Sequence, residues 1–360
     1  MVSPSLKSRR RCGLPLGVLF AALALGASAS AARTSPQIEH GRELYEKMCA
    51  ICHGPRGEGY RADQAPRIAS PDFLSAVNDA YLRRAIAEGR PGTTMSAWGR
   101  ERGGPLSRQD VDAVVALLRS WSDAPAVRLD ERPLSGDPRR GAEIYAEECV
   151  RCHGEHGRGG LNIRIGSPQF LAGVTNGFLR HAIREGRSGT DMDGFDKILG
   201  AAGIEDVVAA LRSFQTVPLA REERASAAPS PPPRGSAPVS PKGKAPVGFE
   251  PFPGTTSVDT VKAQLDARAR LLFVDARAPS DYATGHIAGA INVPFYDPAP
   301  HIPKLPKDVW LVCYCTCPHA ESGELAGKLL DAGFTKVTVL DEGLGLWKAR
   351  NYPMRKGTNP

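Results

Sequence analysis

The sequence predicts a multidomain chain: two small all-α domains followed by an α/β domain with a parallel sheet. Three observations carry that reading. The motif Cys-x-x-Cys-His occurs twice, at Cys49-Ala50-Ile51-Cys52-His53 and Cys149-Val150-Arg151-Cys152-His153. Beyond each motif the chain repeats itself with a shift of ninety-seven residues: Ser70-Pro71-Asp72-Phe73-Leu74 returns as Ser167-Pro168-Gln169-Phe170-Leu171, and the stretch from Leu82 to Arg90 returns from Leu179 to Arg187. A repeat of that length is a duplicated domain, not a solenoid unit. From Thr255 onward, short apolar strands alternate with helical stretches, as they do where crossover helices link parallel strands.

The chain has 360 residues, 24% of them charged and 41% hydrophobic, which is ordinary for soluble globular protein and excludes collagen, coiled coil and multi-span membrane architectures. Residues 1–31 read as a signal peptide. Lys7, Arg9, Arg10 and Arg11 form a positive region, Leu14 to Leu25 an apolar one, and Ala27 to Ala31 offers small-x-small cleavage sites. The apolar run is shorter than the ~20 residues that cross a bilayer, so no membrane span is expected in the mature chain. Export to the periplasm follows. The formal charge of +7 falls to +3 without those four basic residues, and nothing in it calls for nucleic acid.

The first all-α domain is expected at 35–125 and the second at 135–218. In the first, Ile38, Leu44, Tyr45 and Met48 fall near helical spacing with Gly41 among them; Gly141, Ile144 and Tyr145 repeat the pattern. Two thiols three positions apart on one helical turn match the two vinyl groups of a haem, and the next histidine then lies beneath the iron. The competing readings are a four-cysteine zinc site and a redox dithiol. A zinc site has no use for a histidine after each second cysteine, and a dithiol of the thioredoxin kind follows a strand. The reading is therefore two covalently bound haem c groups, attached through Cys49, Cys52, Cys149 and Cys152, with His53 and His153 as iron ligands. Two such groups add about four propionate charges and bring the mature chain near neutrality.

Each copy next reaches one methionine, Met95 and Met192, in a Gly-rich polar loop. Methionine is usually core filler. In such a loop a thioether facing a metal is the better expectation, so both are read as distal iron ligands, although Trp98 in the first copy becomes Phe195 in the second. Closing helices follow. Ser107 and Asp110 form a capping box ahead of the stripe Val111, Val114, Val115, Leu118 and Trp121, repeated as Ile204, Val207, Val208, Leu211 and Phe214. These stripes are core. His40, His156 and His181 read as surface residues.

With the Gly-x-x-x-Tyr helix, Cys-x-x-Cys-His, the Gly-Thr-x-Met loop and the closing helix in place, both copies resemble class I c-type cytochrome domains. The resemblance implies a helical fold wrapped on each haem, iron held by histidine and methionine with no open position, and one-electron transfer between redox partner proteins.

Residues 219–253 are rich in Pro, Ala and Ser and read as an extended linker, so the third domain, at 254–356, is tethered and need not be docked. That domain should hold a helix from Val258 to Ala267 and strands at Arg270–Asp275, Trp310–Cys315 and Val337–Leu340. It resembles the rhodanese family through Val274-Asp275-Ala276-Arg277, Tyr282, the run from Gly285 to Pro294 beginning Gly-His-Ile-Ala-Gly-Ala, Gly333-Phe334, Asp341-Glu342-Gly343 and Trp347. The resemblance implies a cysteine after a central strand, in a loop of backbone N–H groups, that takes sulfane sulfur as a persulfide.

Cys315 matches that position, and Cys317, just before Pro318, is a second candidate thiol. With the haem cysteines and Cys12 set aside, Cys313, Cys315 and Cys317 are an odd number, which points to a reactive thiol rather than a disulfide framework. The loop departs from the family: Glu321 stands where positive charge is usual, which weakens the case for thiosulfate, and His319 is the one obvious cation. Four readings stay open: a persulfide at Cys315 resolved by Cys317, a Cys315/Cys317 redox pair, a metal site with Cys313 and His319, and a catalytically silent domain.

The whole chain therefore reads as an exported di-haem c-type cytochrome that carries single electrons between redox partner proteins, joined to a rhodanese-like domain that binds a sulfane-sulfur donor or acceptor at Cys315. The alternatives are a sulfurtransferase or sulfur-oxidising redox enzyme that uses the haems as acceptors, and a pure electron carrier with an inert docking domain.

Overall fold

The computed structural model describes residues 35–59, 65–90, 93–159, 162–214, 243–316 and 319–360. The expected signal peptide with Cys12, most of the linker, and Cys317 lie outside the described residues.

The first helical domain runs α1 (Pro36–Met48), α2 (Ala50–His53), α3 (Pro71–Ala76), α4 (Asp79–Glu88) and α5 (Arg108–Arg119). The second repeats it as α6 (Pro138–Glu148), α7 (Val150–His153), α8 (Pro168–Gly173), α9 (Asn176–Glu185) and α10 (Asp196–Phe214). Serine caps start the equivalent helices: Ser70 accepts from the Phe73 N–H and Ser167 from the Phe170 N–H, each with proline next in line. The capping box at Ser107 and Asp110 forms as expected.

The Gly-x-x-x-Tyr signature has a packing cause. A Cβ at Gly41 would lie 2.1 Å from the Ala113 carbonyl oxygen of α5, and one at Gly141 would lie 1.9 Å from the Asp206 carbonyl oxygen of α10. The first and last helices of each domain thus cross backbone against backbone. One turn on, Tyr45 meets the edge of Trp121 at 5.0 Å and Tyr145 that of Phe214 at 5.1 Å.

The duplication is also a pseudo-twofold interface. Tyr81 stacks on its counterpart Phe178 at 6.2 Å. Arg90 lies over Tyr81 and over Phe170 of the other copy; its counterpart Arg187 lies over Phe178 and over Phe73. The relation breaks at one ion pair. Arg83–Asp112 in the first copy is 48% and 41% exposed, whereas Arg180–Glu205 in the second is 1% and 8% exposed. The segment between the domains makes the difference, because the Asp130, Arg132 and Pro133 carbonyls pass over Arg180 and accept from it.

The third domain contains β1 (Thr255–Thr256), α11 (Val258–Asp266), β2 (Leu271–Asp275), α12 (Pro279–Thr284), β3 (His286–Ile287), β4 (Ile291–Asn292), β5 (Trp310–Tyr314), α13 (Ala320–Asp331), β6 (Val337–Leu340), α14 (Gly343–Ala349) and β7 (Met354–Arg355). Five parallel strands form a sheet in the order β1-β6-β5-β2-β4, and β3 pairs antiparallel with β7. Val312, Cys313 and Tyr314 of the central strand β5 are fully buried, so Cys313 is core. Residues 243–253, counted with the linker by composition, lie on this domain: the Phe252 N–H donates to the Val337 carbonyl at 2.8 Å and the Arg270 N–H to that of Lys244 at 2.8 Å.

The domain is docked rather than merely tethered. The Ser96 hydroxyl donates to Asp281 of α12 at 2.5 Å, the Ser280 hydroxyl donates to the Ala97 carbonyl at 2.9 Å, and Trp98 meets Tyr296 edge-on at 5.5 Å. Helix α13 also packs against α2. Linker composition carried no information about these surface contacts.

Candidate functional site

Each Cys-x-x-Cys-His turn begins where α1 or α6 ends, at Cys49 or Cys149, and closes on a glycine of positive φ, Gly54 (φ 79°) or Gly154 (φ 71°). The tyrosine of the preceding helix holds that glycine: the Tyr45 hydroxyl donates to the Gly54 carbonyl at 2.7 Å and Tyr145 to Gly154 at 2.9 Å. Each histidine ring is aimed by its Nδ1, at 3.0 Å from the Pro66 carbonyl for His53 and 3.0 Å from the Ile163 carbonyl for His153. Such a bond leaves Nε2 as the free ligand atom. Burial holds both imidazoles below the usual histidine range, in the neutral form a metal requires. Burial also pushes the Cys49 thiol up to about 12 and the Cys149 thiol up to about 11.

The methionine loops are equivalent. The Thr93 hydroxyl accepts from the Met95 N–H at 3.1 Å and Thr190 from that of Met192 at 3.2 Å, while the Met95 and Met192 carbonyls accept from the Arg90 and Arg187 N–H groups. In each copy the cysteines, the histidine and the methionine line a common cavity of about 2280 Å³. Its walls include Phe73, Leu82, Ile86 and Leu118 in the first copy and Phe170, Leu179, Ile183 and Leu211 in the second. Arg67, next to the carbonyl that aims His53, also lines it, and its buried Nε has no hydrogen-bond partner. An apolar crevice with two thiols, a neutral imidazole, a thioether and an orphaned guanidinium N–H fits a covalently attached haem with acidic side arms.

Models of two families match this chain. That for cytochrome c oxidase, cbb3-type, subunit III, covers 36–118 and 136–209, and that for the rhodanese-like domain covers 257–350. The chain is a tandem c-type cytochrome joined to a rhodanese domain. Among its relatives, the cbb3-type cytochrome c oxidase subunit CcoP of Azospirillum sp. is 28% identical over 46% of this chain and 58% of its own length. The subunit FixP of Azorhizobium caulinodans is 32% identical over 37% of this chain and 43% of its own. The thiosulfate sulfurtransferase GlpE of Pseudomonas entomophila is 36% identical over 23% of this chain and 73% of its own. This chain thus spans about half the length of the two oxidase subunits. Its cytochrome domains take covalently bound haem c.

The rhodanese domain forms one wall of the same cavity, through Arg277, Asp281, Thr316, Glu321, Arg355 and Lys356 among others. Cys315 follows β5 as expected and is fully buried behind Thr316 and Glu321, its Sγ 3.4 Å from the Ser322 hydroxyl. His319 pairs with Asp341. Its backbone is left-handed (φ 69°), and its Nε2 lies 2.6 Å from the Asp341 carbonyl and 3.0 Å from Oδ1 of the same residue.

The buried cation on this wall is Arg277, two residues beyond Asp275 at the end of β2. Its Nε donates to Asp275 Oδ1 at 2.9 Å, its Nη2 donates to Oδ2 at 2.5 Å and to the Gly285 carbonyl at 2.8 Å, and Nη1 reaches Thr316 at 3.5 Å. Among the described residues, no group of three or more His, Cys, Asp or Glu side chains is placed to hold a metal ion, so Cys313 and His319 form no such site there. No helix among them is long and apolar enough to cross a membrane.

Sequence reasoning passed over three features. Arg90 and Arg187 were visible as members of the repeat but carried no chemical signal. Arg277 stood in the family motif without an assigned partner. Ser96 lies beside Met95 in a loop read only for its methionine.

Proposed function

We propose that the chain is an exported di-haem electron carrier whose rhodanese domain is coupled to its first cytochrome domain. Cys49 and Cys52 would attach one haem c, with His53 and Met95 as axial ligands; Cys149, Cys152, His153 and Met192 would do the same for the other. Haem c bound through histidine and methionine supplies a one-electron couple with no open coordination position. The surrounding residues keep that geometry fixed: the Pro66 and Ile163 carbonyls orient the imidazoles, Thr93 and Thr190 hold the methionine backbones, and the apolar walls exclude water.

The coupling rests on one observation: a single cavity reaches from Met95 to Thr316 and Glu321. Sulfane sulfur taken up at Cys315, with Cys317 as second thiol, is oxidised next to the first cytochrome domain, and the electrons pass on through the second. The Met192 loop, with Asp191 and Asp193 exposed, makes no hydrogen bond to the rhodanese domain among the described residues and is the side on which a redox partner protein docks. Kinship with oxidase subunits supports the electron-transfer part, kinship with a sulfurtransferase the sulfur part, and the basic and apolar runs of residues 1–31 support export to the periplasm.

The test is stopped-flow visible absorption of the oxidised holoprotein mixed with sulfide, polysulfide or thiosulfate, alongside Cys315→Ser and a chain ending at Pro218. Fast reduction lost in both variants is expected. Equal rates in all three would leave an electron carrier with a docking domain.

A further inference from the structure

Glu321 is 7% exposed and lines the cavity from the first turn of α13, and its neighbour Ser322 touches the Cys315 sulfur. A carboxyl in the wall of a cavity, one residue from a side chain that touches the sulfur, is placed to act on what enters. A donor arriving through the cavity meets Glu321 before it meets Cys315, because Glu321 is in the wall and Cys315 is behind it.

We propose that Glu321 makes the Cys315 site selective for low-molecular-weight persulfides, R–S–SH, over thiosulfate, by giving a proton to the thiolate that leaves. This rests on the reading of Cys315 as the sulfur carrier. The Cys315 thiolate attacks the outer sulfur of R–S–SH, and the inner S–S bond breaks. The leaving R–S⁻ takes the carboxyl proton, so that Cys315–S–SH, R–SH and the Glu321 carboxylate result. Transfer of the outer sulfur to an acceptor thiol returns Cys315 as its thiol, and the carboxylate then takes that proton back, with no net oxidation.

Two features favour a donor that needs a proton over a dianion, and a third favours neither. Burial, the nearby Cys315 sulfur and Asp281 hold the Glu321 carboxyl well above the usual carboxylate range, with Arg277 opposing, so it carries a proton to give. Arg277, the buried cation of the wall, is paired with Asp275, so its charge is largely balanced before any sulfonate arrives. Lys348, Arg355 and Lys356 are exposed along the same wall and attract anions of either class, which leaves the choice to the carboxyl beside the sulfur.

The experiment loads the holoprotein with glutathione persulfide or thiosulfate and follows the persulfide at Cys315 by mass spectrometry of its peptide, in the unaltered chain and in Glu321→Gln, Glu321→Arg and Cys315→Ser. Unchanged visible and circular-dichroism spectra certify the fold of each variant. Loading from the persulfide is expected to exceed that from thiosulfate at least tenfold. Glu321→Gln should slow persulfide loading by about 10² and flatten its pH profile, and Glu321→Arg should raise thiosulfate loading about tenfold or more.

Donor preference and pH profile unchanged in both Glu321 variants would overturn the role of Glu321 while leaving the carrier intact. No label at Cys315 in the unaltered chain, or label elsewhere that survives Cys315→Ser, would instead overturn the carrier reading on which the role depends.

Discussion

Ser96, the residue after Met95, donates its hydroxyl to Asp281 of the rhodanese domain at 2.5 Å. A loop that carries a candidate iron ligand is thus fastened from outside its own domain. Its counterpart after Met192 is Asp193, which is exposed.

Removing the Ser96 hydroxyl strips the Asp281 carboxyl of that partner. Ser96→Ala should therefore cost about 1–3 kcal/mol of stability, measured by thermal unfolding. It should also shift the midpoint potential of the haem in the first domain and leave that of the second in place, as read by spectroelectrochemistry. Equal shifts in both would sever the link between this contact and Met95.

The two equivalent ion pairs provide an internal control. Arg180→Ala should destabilise by about 3–5 kcal/mol because Glu205 is left buried without its partner, whereas Arg83→Ala, at an exposed pair, should leave stability nearly unchanged. Hydrogen bonding from Arg180 lowers the Glu205 carboxyl to about 2. Its contribution is therefore complete above the ordinary glutamate value and is lost as pH falls from there toward 2, which denaturant titrations at several pH values would reveal.

Gly41→Ala and Gly141→Ala each drive a methyl group into a backbone carbonyl. Either should cost about 3 kcal/mol or more and deprive its own domain of haem while sparing the other. Haem content per chain, expected to fall from two to one, checks this.

Glu321 sets a pH dependence of the opposite sign. Its carboxyl is raised in the folded chain, so the folded state binds the proton more tightly, and the stability gained below the unfolded value of about 4.5 is lost as pH rises toward the folded one. Glu321→Gln should remove that slope and raise the melting temperature at pH 8 relative to pH 5. The gain is about 1.4 kcal/mol for each unit of the raised value that the pH traverses. A melting curve with the same slope in both proteins would be decisive against it.

The cofactor crevices were legible because their chemistry is local: thiols, imidazole and thioether recur at fixed spacing, and the duplication wrote the pattern twice. Strands β2, β5 and β6 were legible as short apolar runs for the same reason. Docking was not, since it depends on Ser96 and Trp98 meeting Ser280, Asp281 and Tyr296 across nearly two hundred residues of chain. Nor could the sequence distinguish Arg83–Asp112 from Arg180–Glu205, which differ only in what passes over them. Nor could it show that His319 pairs with Asp341.

Arg90 and Arg187 lock the two cytochrome domains face to face, each reaching across to an aromatic ring of its twin. Such a pair, left alone, has no front or back. A third domain fastened at Ser96 removes that symmetry, because one methionine loop is tied to it while Asp193 of its twin is exposed. If electrons enter beside the rhodanese domain, as proposed, moving that domain onto the Met192 loop would reverse their direction without changing a single candidate ligand.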